Sequence, residues 1–236
     1  MIELKDGAIF ISDAHTNINR TEFYEFLKRV DSKELKPSQL IFMGDMFDLL
    51  IGGVGCLERF YEKEIKLINN ISKKVEIIYM EGNHDFNLKK LFPKVKVFPL
   101  FSQPLLAKYH NQKVLLSHGD RYEKKSYIFI HTIFRNRFML KILNIINIVL
   151  QNKPFLSYLQ KVQKKKICKN IKNFKQMIKQ KILLYDIGLS EIGFVLEGHY
   201  HQGIGFEFEN LRYFNFSSYA CDEKYYTLKG DKITFQ

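Results

Sequence analysis

The sequence predicts an α/β fold with a helical insertion. Up to residue 120, short apolar runs alternate with helical patterns, which is typical of strands connected by helices. Residues 121–190 contain no strand-like alternation, whereas the chain after residue 193 returns to strand patterns. A chain of 236 residues is long enough for one domain with a full core. We therefore predict a single domain over 1–236, with a helical cap over 121–190 embedded in it.

Hydrophobic periodicity gives the elements in order. Before the insertion it predicts strands near 8–12, 39–43 and 75–80, and helices near 20–31 and 57–72. After the insertion it predicts strands near 203–208 and 212–216, followed by a hairpin that turns at Gly230-Asp231.

The insertion is basic and amphipathic. It holds sixteen Lys or Arg against two acidic residues, so it carries the whole net charge of +12. Over 128–151, polar residues recur every three or four positions and leave a wide apolar face, with runs too short for a membrane span. After a break at Pro154, a lysine-rich helix is predicted to about residue 182. Such a helix pair suits an anionic membrane, a nucleic acid or an amphiphilic substrate.

The cysteines and the first residues predict a cytoplasmic protein. Cys56, Cys168 and Cys221 are odd in number and follow no metal-ligand spacing, so we expect reduced thiols. Residues 1–7 carry two acids and a lysine before a short strand, which is not the pattern of a secretory signal.

Five short blocks carry the chemistry. Each follows an apolar run, four of them directly, and supplies Asp, Asn or His: S-D-A-H at 12–15, G-D-M-F-D at 44–48, G-N-H-D at 82–85, S-H-G-D at 117–120 and G-H-Y-H at 198–201. A lone polar residue after a strand is usually a turn or cap residue. In this chain five such blocks occur one after another, and together they contain five of the seven histidines. Oxygen and nitrogen donors without a thiol suit hard or borderline divalent cations, and we expect two of them, Mn²⁺ first.

The blocks resemble those of the calcineurin-like metallophosphoesterase superfamily, which are D-x-H, G-D-x-x-D, G-N-H-D/E, H and G-H-x-H in this order. The resemblance implies a β-sandwich flanked by helices, in four αββα layers. It also implies two metals, which activate a water and neutralise phosphoryl oxygens. The first metal is then held by Asp13, His15 and His201, the second by Asn83, His118 and His199, and both by Asp45. His84, held by Asp85, is implied as the catalytic group that contacts the phosphate or protonates the leaving group.

The arrangement is also similar to that of the UDP-2,3-diacylglucosamine pyrophosphatases of lipid A synthesis. Shared features are the chain length, the order of the blocks and a long helical insertion after H-G-D. The chain departs from their best-known branch at His84, where that branch has Arg, and at Gln202-Gly203 after the last block. The resemblance implies hydrolysis at the α-phosphorus to UMP and an acylated glucosamine 1-phosphate. The partners are then the acylated UDP-sugar and the anionic cytoplasmic leaflet of the inner membrane, on which the enzyme is peripheral.

Other functions remain open from the sequence. A nuclease or phosphodiesterase would use the basic cap on a nucleic-acid backbone, although the cap joins its lysines to a large apolar face without interleaved exposed aromatics. A soluble phosphatase acting on nucleotides or phosphoproteins would leave that apolar face without a role. An interaction scaffold that has lost its metals would lack ligands, and none is missing here.

Overall fold

A computed structural model of the chain describes residues 1–185, 191–208 and 211–230, together with the backbone of 232–235. The fold is mixed α/β, with two large sheets and a small one flanked by helices. The expected turn residue Asp231 and the expected end of the cap, residues 186–190, lie outside the described residues.

The first sheet is mainly parallel and carries three of the blocks. Its strand order is β14-β13-β2-β3-β5-β7, and β2, β3, β5 and β7 run parallel to one another. The strands are β2 (Ile9–Ile11), β3 (Leu40–Phe42), β5 (Ile77–Met80), β7 (Lys96–Phe98), β13 (Tyr226–Lys229) and β14 (Lys232–Phe235). The three central strands, β2, β3 and β5, are continuous apolar runs because both of their faces are buried.

The second sheet carries the other two blocks. Its order is β1-β8-β9-β10-β12-β11, with β10 parallel to both β9 and β12. The strands are β1 (Ile2–Glu3), β8 (Leu105–Tyr109), β9 (Gln112–Ser117), β10 (Ile192–Glu197), β11 (Ile204–Phe208) and β12 (Leu211–Asn215). A small third sheet pairs β4 (Leu50–Ile51) with β6 (Asp85–Phe86).

The two large sheets pack face to face through alternate side chains. Phe10, Ile41 and Ile78 of the first sheet share one buried cluster with Val114 and Leu196 of the second. The neighbouring side chains of the first sheet point the other way, into a cluster that also contains helical residues. Successive side chains of a strand point to opposite faces, so each central strand contributes alternate side chains to the inter-sheet core and to the helix layer.

Helices before the insertion cover the outer face of the first sheet. They are α1 (Glu22–Asp31), α2 (Gly55–Phe60) and α3 (Glu62–Ile71). A short helix after the last strand of the second sheet is α8 (Tyr219–Asp222). In α1, Phe23, Phe26, Leu27 and Val30 recur at helical spacing and are buried. The helix predicted near 57–72 is divided at Tyr61, whose buried ring packs edge-on against Phe47.

The insertion contains more helices than the two predicted. They are α4 (Lys125–Arg135), α5 (Arg137–Val149), α6 (Lys153–Gln163) and α7 (Phe174–Ile182). The predicted first helix is divided at Asn136, whose side chain caps α5 by accepting from the backbone N–H groups of Phe138 and Met139. Pro154 lies in the first turn of α6, where its missing N–H costs nothing. A non-helical segment, 164–173, separates α6 from α7.

The helices of the insertion pack on both sheets. Leu140 of α5 and Leu159 of α6 join the cluster on the outer side of the first sheet. Phe174 and Ile178 of α7 join a third cluster, with Val195 of β10 in the second sheet. Segment 164–173 therefore crosses from the layer of one sheet to that of the other.

The expectation of three reduced cysteines is wrong for two of them. Cys168 of segment 164–173 and Cys221 of α8 form a disulfide, with 53 residues of sequence separation. Cys56 is free and buried. The pairing could not be predicted from the spacing of the cysteines in the sequence, because only the fold brings segment 164–173 beside α8.

Among the residues that the structure describes, none of the helices combines the length and apolarity that crossing a bilayer requires.

Candidate metal centre

The five blocks converge where strands of both sheets end. The blocks at 12–15, 44–48 and 82–85 follow β2, β3 and β5, and those at 117–120 and 198–201 follow β9 and β10. Carboxyl ends of neighbouring parallel strands meet at one edge of a sheet, so side chains that leave these strands approach one another.

Asp13, His15 and His201 form the first group of donors, with ligand atoms within 4.8 Å of one another. Asp13 Oδ1 lies 2.9 Å from His201 Nε2. Both ring nitrogens of His15 are buried and form no hydrogen bond with a described residue, although Asp48 Oδ1 lies 3.4 Å from Nδ1. Burying imidazole nitrogens without hydrogen bonds is costly, and a bound cation would satisfy one of them.

Asp45, His118 and His199 form the second group, also within 4.8 Å. His118 Nε2 lies 3.4 Å from Asp45 Oδ2 and 3.4 Å from Asn83 Oδ1. Asp45 belongs to a further group with His15 and His84. The structure thus brings together the seven residues expected to hold metals, with Asp45 between the two groups.

The buried acids and imidazoles of this centre shift one another's pKa values. Burial acts to raise the pKa of Asp13, but the imidazoles of His201 and His118 lower it to about 2. Burial also opposes the ionisation of Asp45, yet His118 and His84 hold its pKa well below the usual value. Conversely, Asp45 and Asp120 outweigh burial and raise the pKa of His118.

The donor set fits divalent cations. Two buried carboxylates face imidazoles that, without a metal, carry the compensating positive charge as protons. Metal binding displaces protons from such ligands, so two cations would supply that charge and leave the imidazoles neutral. Carboxylate, imidazole and amide oxygens suit Mn²⁺, Fe or Zn²⁺.

Backbone geometry at the centre is unusual. Asp13, His15, Asp45, His199 and His201 all have positive φ, between 43° and 65°. Gly44, with φ of 99°, lies where a Cβ would overlap the His118 ring. Non-glycine residues rarely adopt such φ values, and those that do cluster at functional sites. The tight turns bring the candidate ligands close together.

The expected pairing of His84 with Asp85 is wrong. His84 Nδ1 lies 2.6 Å from the carbonyl oxygen of Asp48, so it donates there and leaves Nε2 free. Asp85 is fully buried and instead accepts from the backbone N–H groups of Asp45, Met46 and Gly82. Burial, and then the Asp45 charge, raise the pKa of Asp85 to about 6. Asp85 therefore positions the loop that carries Asp45 and does not reach the site.

Asp48 orients His15. Its Oδ1 lies 3.4 Å from His15 Nδ1, and its Oδ2 accepts from Arg20 at 2.5 Å and from Asn17. Arg20 also donates to the His15 carbonyl oxygen at 2.9 Å. Sequence analysis missed Arg20 and Asn17, whose only signal was their position a few residues after the first block.

A second positioning network joins α7 to two blocks. The buried Lys181 ammonium donates to the Gly119 carbonyl oxygen at 2.6 Å and to Glu197 at 2.9 Å. Tyr185 and Tyr213 donate to the same carboxylate. Burial, and then Glu197, raise the pKa of both tyrosines, which keeps their protons in place. The network could not be predicted from the sequence, because Lys181 is one of many lysines in the insertion.

Helix α4 borders the centre on its other side. Arg135 donates to Glu81 at 2.8 Å and to the Gly82 carbonyl oxygen at 2.6 Å. The His131 ring packs 4.2 Å from the ring of Tyr127, and Asp120 is the charged residue with the largest electrostatic effect on both side chains. Both carboxylate oxygens of Asp120 are buried without a hydrogen-bond partner. This side of the centre therefore contains buried polar atoms that form no hydrogen bond with the described residues.

Comparison with known proteins gives a family match over most of the chain. Residues 8–203 match the sequence model of the family described as calcineurin-like phosphoesterase. The five blocks lie within this range.

Curated relatives match over a shorter region. A UDP-2,3-diacylglucosamine hydrolase of Shewanella halifaxensis is 26% identical over 113 residues, which is 48% of this chain and 47% of that protein. One of Pseudomonas fluorescens is 30% identical over 139 residues, 57% and 55% of the two chains. The chain spans about half the length of the curated relatives it matches.

Solved structures are more distant in sequence. YfcE, a phosphoesterase from E. coli, is 14% identical with a TM-score of 0.47, covering 96% of this chain and 90% of its own. An archaeal phosphodiesterase is 12% identical with a TM-score of 0.46, covering 97% and 96%.

Proposed function

This chain belongs to the calcineurin-like phosphoesterase family, and we propose that it hydrolyses the pyrophosphate bond of UDP-2,3-diacylglucosamine to UMP and 2,3-diacylglucosamine 1-phosphate. The observation that carries the proposal is that a cluster of metal donors lies beside helices with a long exposed apolar face. A pyrophosphate that carries acyl chains needs both features. The names of the curated relatives support the same substrate.

We assign the ligands as the donor groups suggest. Asp13, His15 and His201 would hold one metal, Asn83, His118 and His199 the other, and Asp45 both. Asp45 belongs to two of the donor groups, which supports its shared role. We propose Mn²⁺ at both positions, because sites that combine carboxylate, amide and imidazole ligands accommodate it. Bound metals would supply an activated water and neutralise the phosphoryl oxygens.

His84 is the proposed acid. With Nδ1 donating to the Asp48 carbonyl oxygen, a second proton can be held only at Nε2. His84 Nε2–H could then donate to a phosphoryl oxygen or to the oxygen of the leaving group. Asp48 and Asp85 act indirectly: Asp48 fixes the His84 ring, and Asp85 fixes the loop that carries Asp45.

The insertion would bind the lipid half of the substrate. Phe138, Ile145 and Val149 of α5 are 70%, 62% and 75% exposed, although each is apolar. Exposed apolar area of this extent marks a binding or membrane surface. Lysines of the same insertion would face diphosphate or anionic lipid headgroups.

We therefore propose a single domain over 1–236 with its cap over 121–190, peripheral on the cytoplasmic leaflet of the inner membrane. Because Cys168 and Cys221 are paired, this location follows from the substrate alone and not from the cysteines.

The test is turnover of long-chain UDP-2,3-diacylglucosamine with Mn²⁺, with the product identified by mass. Wild type should release UMP, and His118→Ala should lose at least 10³-fold in turnover with reduced Mn²⁺ content, because it removes one proposed ligand. Short-chain substrate should react much more slowly than long-chain substrate. Equal rates would contradict the role of the cap. Activity on a generic phosphodiester without UMP release would favour a nuclease or another phosphodiesterase.

A further inference from the structure

Glu123, among the first residues of the insertion, lies beside one of the proposed metal ligands. Its Oε1 lies 3.7 Å from His199 Nε2, which is within the distance of an ion pair. The metal donors surround a small cavity of about 140 Å³, which Ile167 of segment 164–173 also lines. His199 lines this cavity and Glu123 does not, so Glu123 lies outside it, against the His199 ring. None of the roles proposed above uses Glu123.

The other three histidines proposed to bind metal share one arrangement. Each turns Nδ1 toward an acceptor in the surrounding protein: the Met43 carbonyl oxygen is 2.9 Å from His118, the Ile167 carbonyl oxygen is 3.2 Å from His201, and Asp48 Oδ1 is 3.4 Å from His15. A proton directed outward from Nδ1 leaves the other ring nitrogen, Nε2, for a cation.

His199 has the opposite arrangement. Its Nε2 faces Glu123, and its Nδ1 forms no hydrogen bond with a described residue. A histidine that binds metal usually donates its other N–H to a carboxylate or a carbonyl oxygen, which fixes the orientation of the ring and makes the metal-bound nitrogen more basic. With Nε2–H directed at Glu123, Nδ1 is the nitrogen left for a cation, and His199 belongs to the donor group of Asp45 and His118.

The contact needs only a small adjustment to become a hydrogen bond. An N–H···O hydrogen bond is about 3 Å long, whereas Glu123 and His199 are 3.7 Å apart. The Glu123 side chain is 30% exposed, so it has room to turn toward the ring.

Tyr200 and the backbone hold Glu123 in place. The Tyr200 hydroxyl donates to Glu123 Oε1 at 2.9 Å, and the Glu123 N–H donates to the Asp120 carbonyl oxygen at 3.3 Å. The centroid of the Tyr200 ring lies 4.7 Å from Lys181 Nζ and 5.4 Å from the centroid of the Phe174 ring, and both residues belong to α7. The two ends of the insertion therefore cooperate in placing this carboxylate.

We propose that Glu123 is a positioning residue for the second metal: its carboxylate accepts from His199 Nε2–H and so presents Nδ1 to the cation. The inference rests on the metal assignment of the proposed function and adds a residue of the insertion to it. The insertion then contributes to metal binding as well as to lipid binding. Because Glu123 acts through His199, it need not touch the substrate or the metal.

The experiment is isothermal titration of the metal-free full chain with Mn²⁺, which counts the sites and gives the affinity of each. Wild type should bind two Mn²⁺ ions. Glu123→Ala should weaken one site about tenfold to a hundredfold, the usual effect of removing a hydrogen-bond partner of a metal ligand, and change the other by less than about threefold. Glu123→Gln keeps an acceptor oxygen and should recover part of the loss.

The matched control is Glu191→Ala, which removes the same charge. Glu191 pairs with Lys113 at the opposite end of β10 from His199. That strand is about 20 Å long, which exceeds the screening length of about 8 Å at physiological ionic strength. Both Mn²⁺ affinities should therefore stay within about twofold of wild type.

Tyr200→Phe tests how Glu123 is held. It removes only the hydroxyl that donates to Glu123, so it should weaken the same Mn²⁺ site, but less than Glu123→Ala does. The double variant should bind no more weakly than Glu123→Ala, because Tyr200 acts through Glu123 and the two losses are then not additive.

Four results would overturn the inference: fewer than two Mn²⁺ sites in wild type, unchanged affinity in Glu123→Ala, equal weakening of both sites, or additive losses in the double variant. Hydrolysis of UDP-2,3-diacylglucosamine by wild type is assayed in parallel. If wild type does not hydrolyse it but the Mn²⁺ affinities change as expected, the proposed reaction is rejected and the role of Glu123 stands. If wild type hydrolyses it and Glu123→Ala binds Mn²⁺ as wild type does, the reaction stands and the role of Glu123 is rejected.

Discussion

At the scale of single residues, five of the seven proposed ligands lie in a left-handed backbone conformation. Such conformations cost about 1–3 kcal/mol each and persist only where the surroundings impose them. Here the surroundings include Asp85, whose carboxylate accepts hydrogen bonds from the backbone N–H groups of Asp45 and Met46. They also include Ser218, which donates to the Asp13 carbonyl oxygen at 2.7 Å. The strain is thus offset by the hydrogen bonds of buried polar groups.

Lys181 illustrates the same dependence on buried polar groups. Replacing it with alanine leaves the Glu197 charge buried without its cation, and removing one partner of a buried pair costs about 3–5 kcal/mol. We expect Lys181→Ala to lower the free energy of unfolding by about 3 kcal/mol in urea denaturation of the metal-free protein.

The control is Lys179→Ala, an exposed lysine on the same helix, which should change that free energy by less than 0.5 kcal/mol, as is usual for surface substitutions. The double variant Lys181→Met with Glu197→Gln should recover part of the loss, because no unpaired charge remains. A loss below 1 kcal/mol for Lys181→Ala would show that the pair adds little to stability.

At the scale of elements, Glu76 joins strands at one edge of the first sheet. Burial acts to raise its pKa, but hydrogen bonds from Lys5, Lys96 and Gln39 lower it to about 2 from the usual 4.5. A carboxyl with a lowered folded-state pKa stabilises the protein above its unfolded-state pKa, and that stability is lost as the pH falls from 4.5 toward 2.

We expect Glu76→Gln to reduce the free energy of unfolding by about 1 kcal/mol at pH 7, a value kept small because the side chain is 25% exposed and screened by solvent. The difference from wild type should shrink as the pH falls below 4.5. Denaturant titrations at several pH values measure it, and a difference that is constant with pH would contradict the ion-pair explanation.

Helix α5 is the element that would contact lipid. Phe138, Ile145 and Val149 lie along one exposed stripe of the helix, and burying such side chains in an apolar phase contributes about 1 kcal/mol or more each. Replacing all three with serine should therefore weaken binding to phosphatidylglycerol vesicles at least tenfold in a sedimentation assay, with little change in stability.

Phe101→Ser provides the comparison, because Phe101 is also apolar and is 50% exposed but lies outside the insertion. Its vesicle binding should match that of wild type. If the triple variant also bound vesicles as wild type does, α5 would not be the lipid-binding element.

At the scale of the whole molecule, the Cys168–Cys221 disulfide connects the insertion to the carboxyl-terminal part. Closing a loop of 53 residues removes freedom from the unfolded chain and contributes about 4 kcal/mol in the chain-entropy description. The variant Cys168→Ser with Cys221→Ser should lose a stability of this order under oxidising conditions. The difference from wild type should disappear in a reducing agent. Peptide mapping of the unreduced protein checks the premise, and the absence of a linked 168–221 peptide would remove it.

Much of the site was predictable because its signals are local. Each proposed ligand lies in a block that follows an apolar strand, and parallel strands bring such positions together without further information. The partner of His84 was not predictable: Asp85 is its neighbour in sequence, but a strand turns successive side chains to opposite faces, and Asp85 points into the core. Helix ends within the insertion were missed where a single side chain, Asn136, decides the break.

The sequence by itself determined the α/β class, the order of the elements and the donor atoms of the centre, because strand period, helix period and ligand chemistry are properties of neighbouring residues. Only the tertiary structure decided that Lys181 pairs with Glu197, that Cys168 meets Cys221 and that segment 164–173 encloses a cavity beside His201. These contacts join residues 16 to 53 positions apart, and their energies depend on burial and distance, which exist only once both sheets and the insertion have packed.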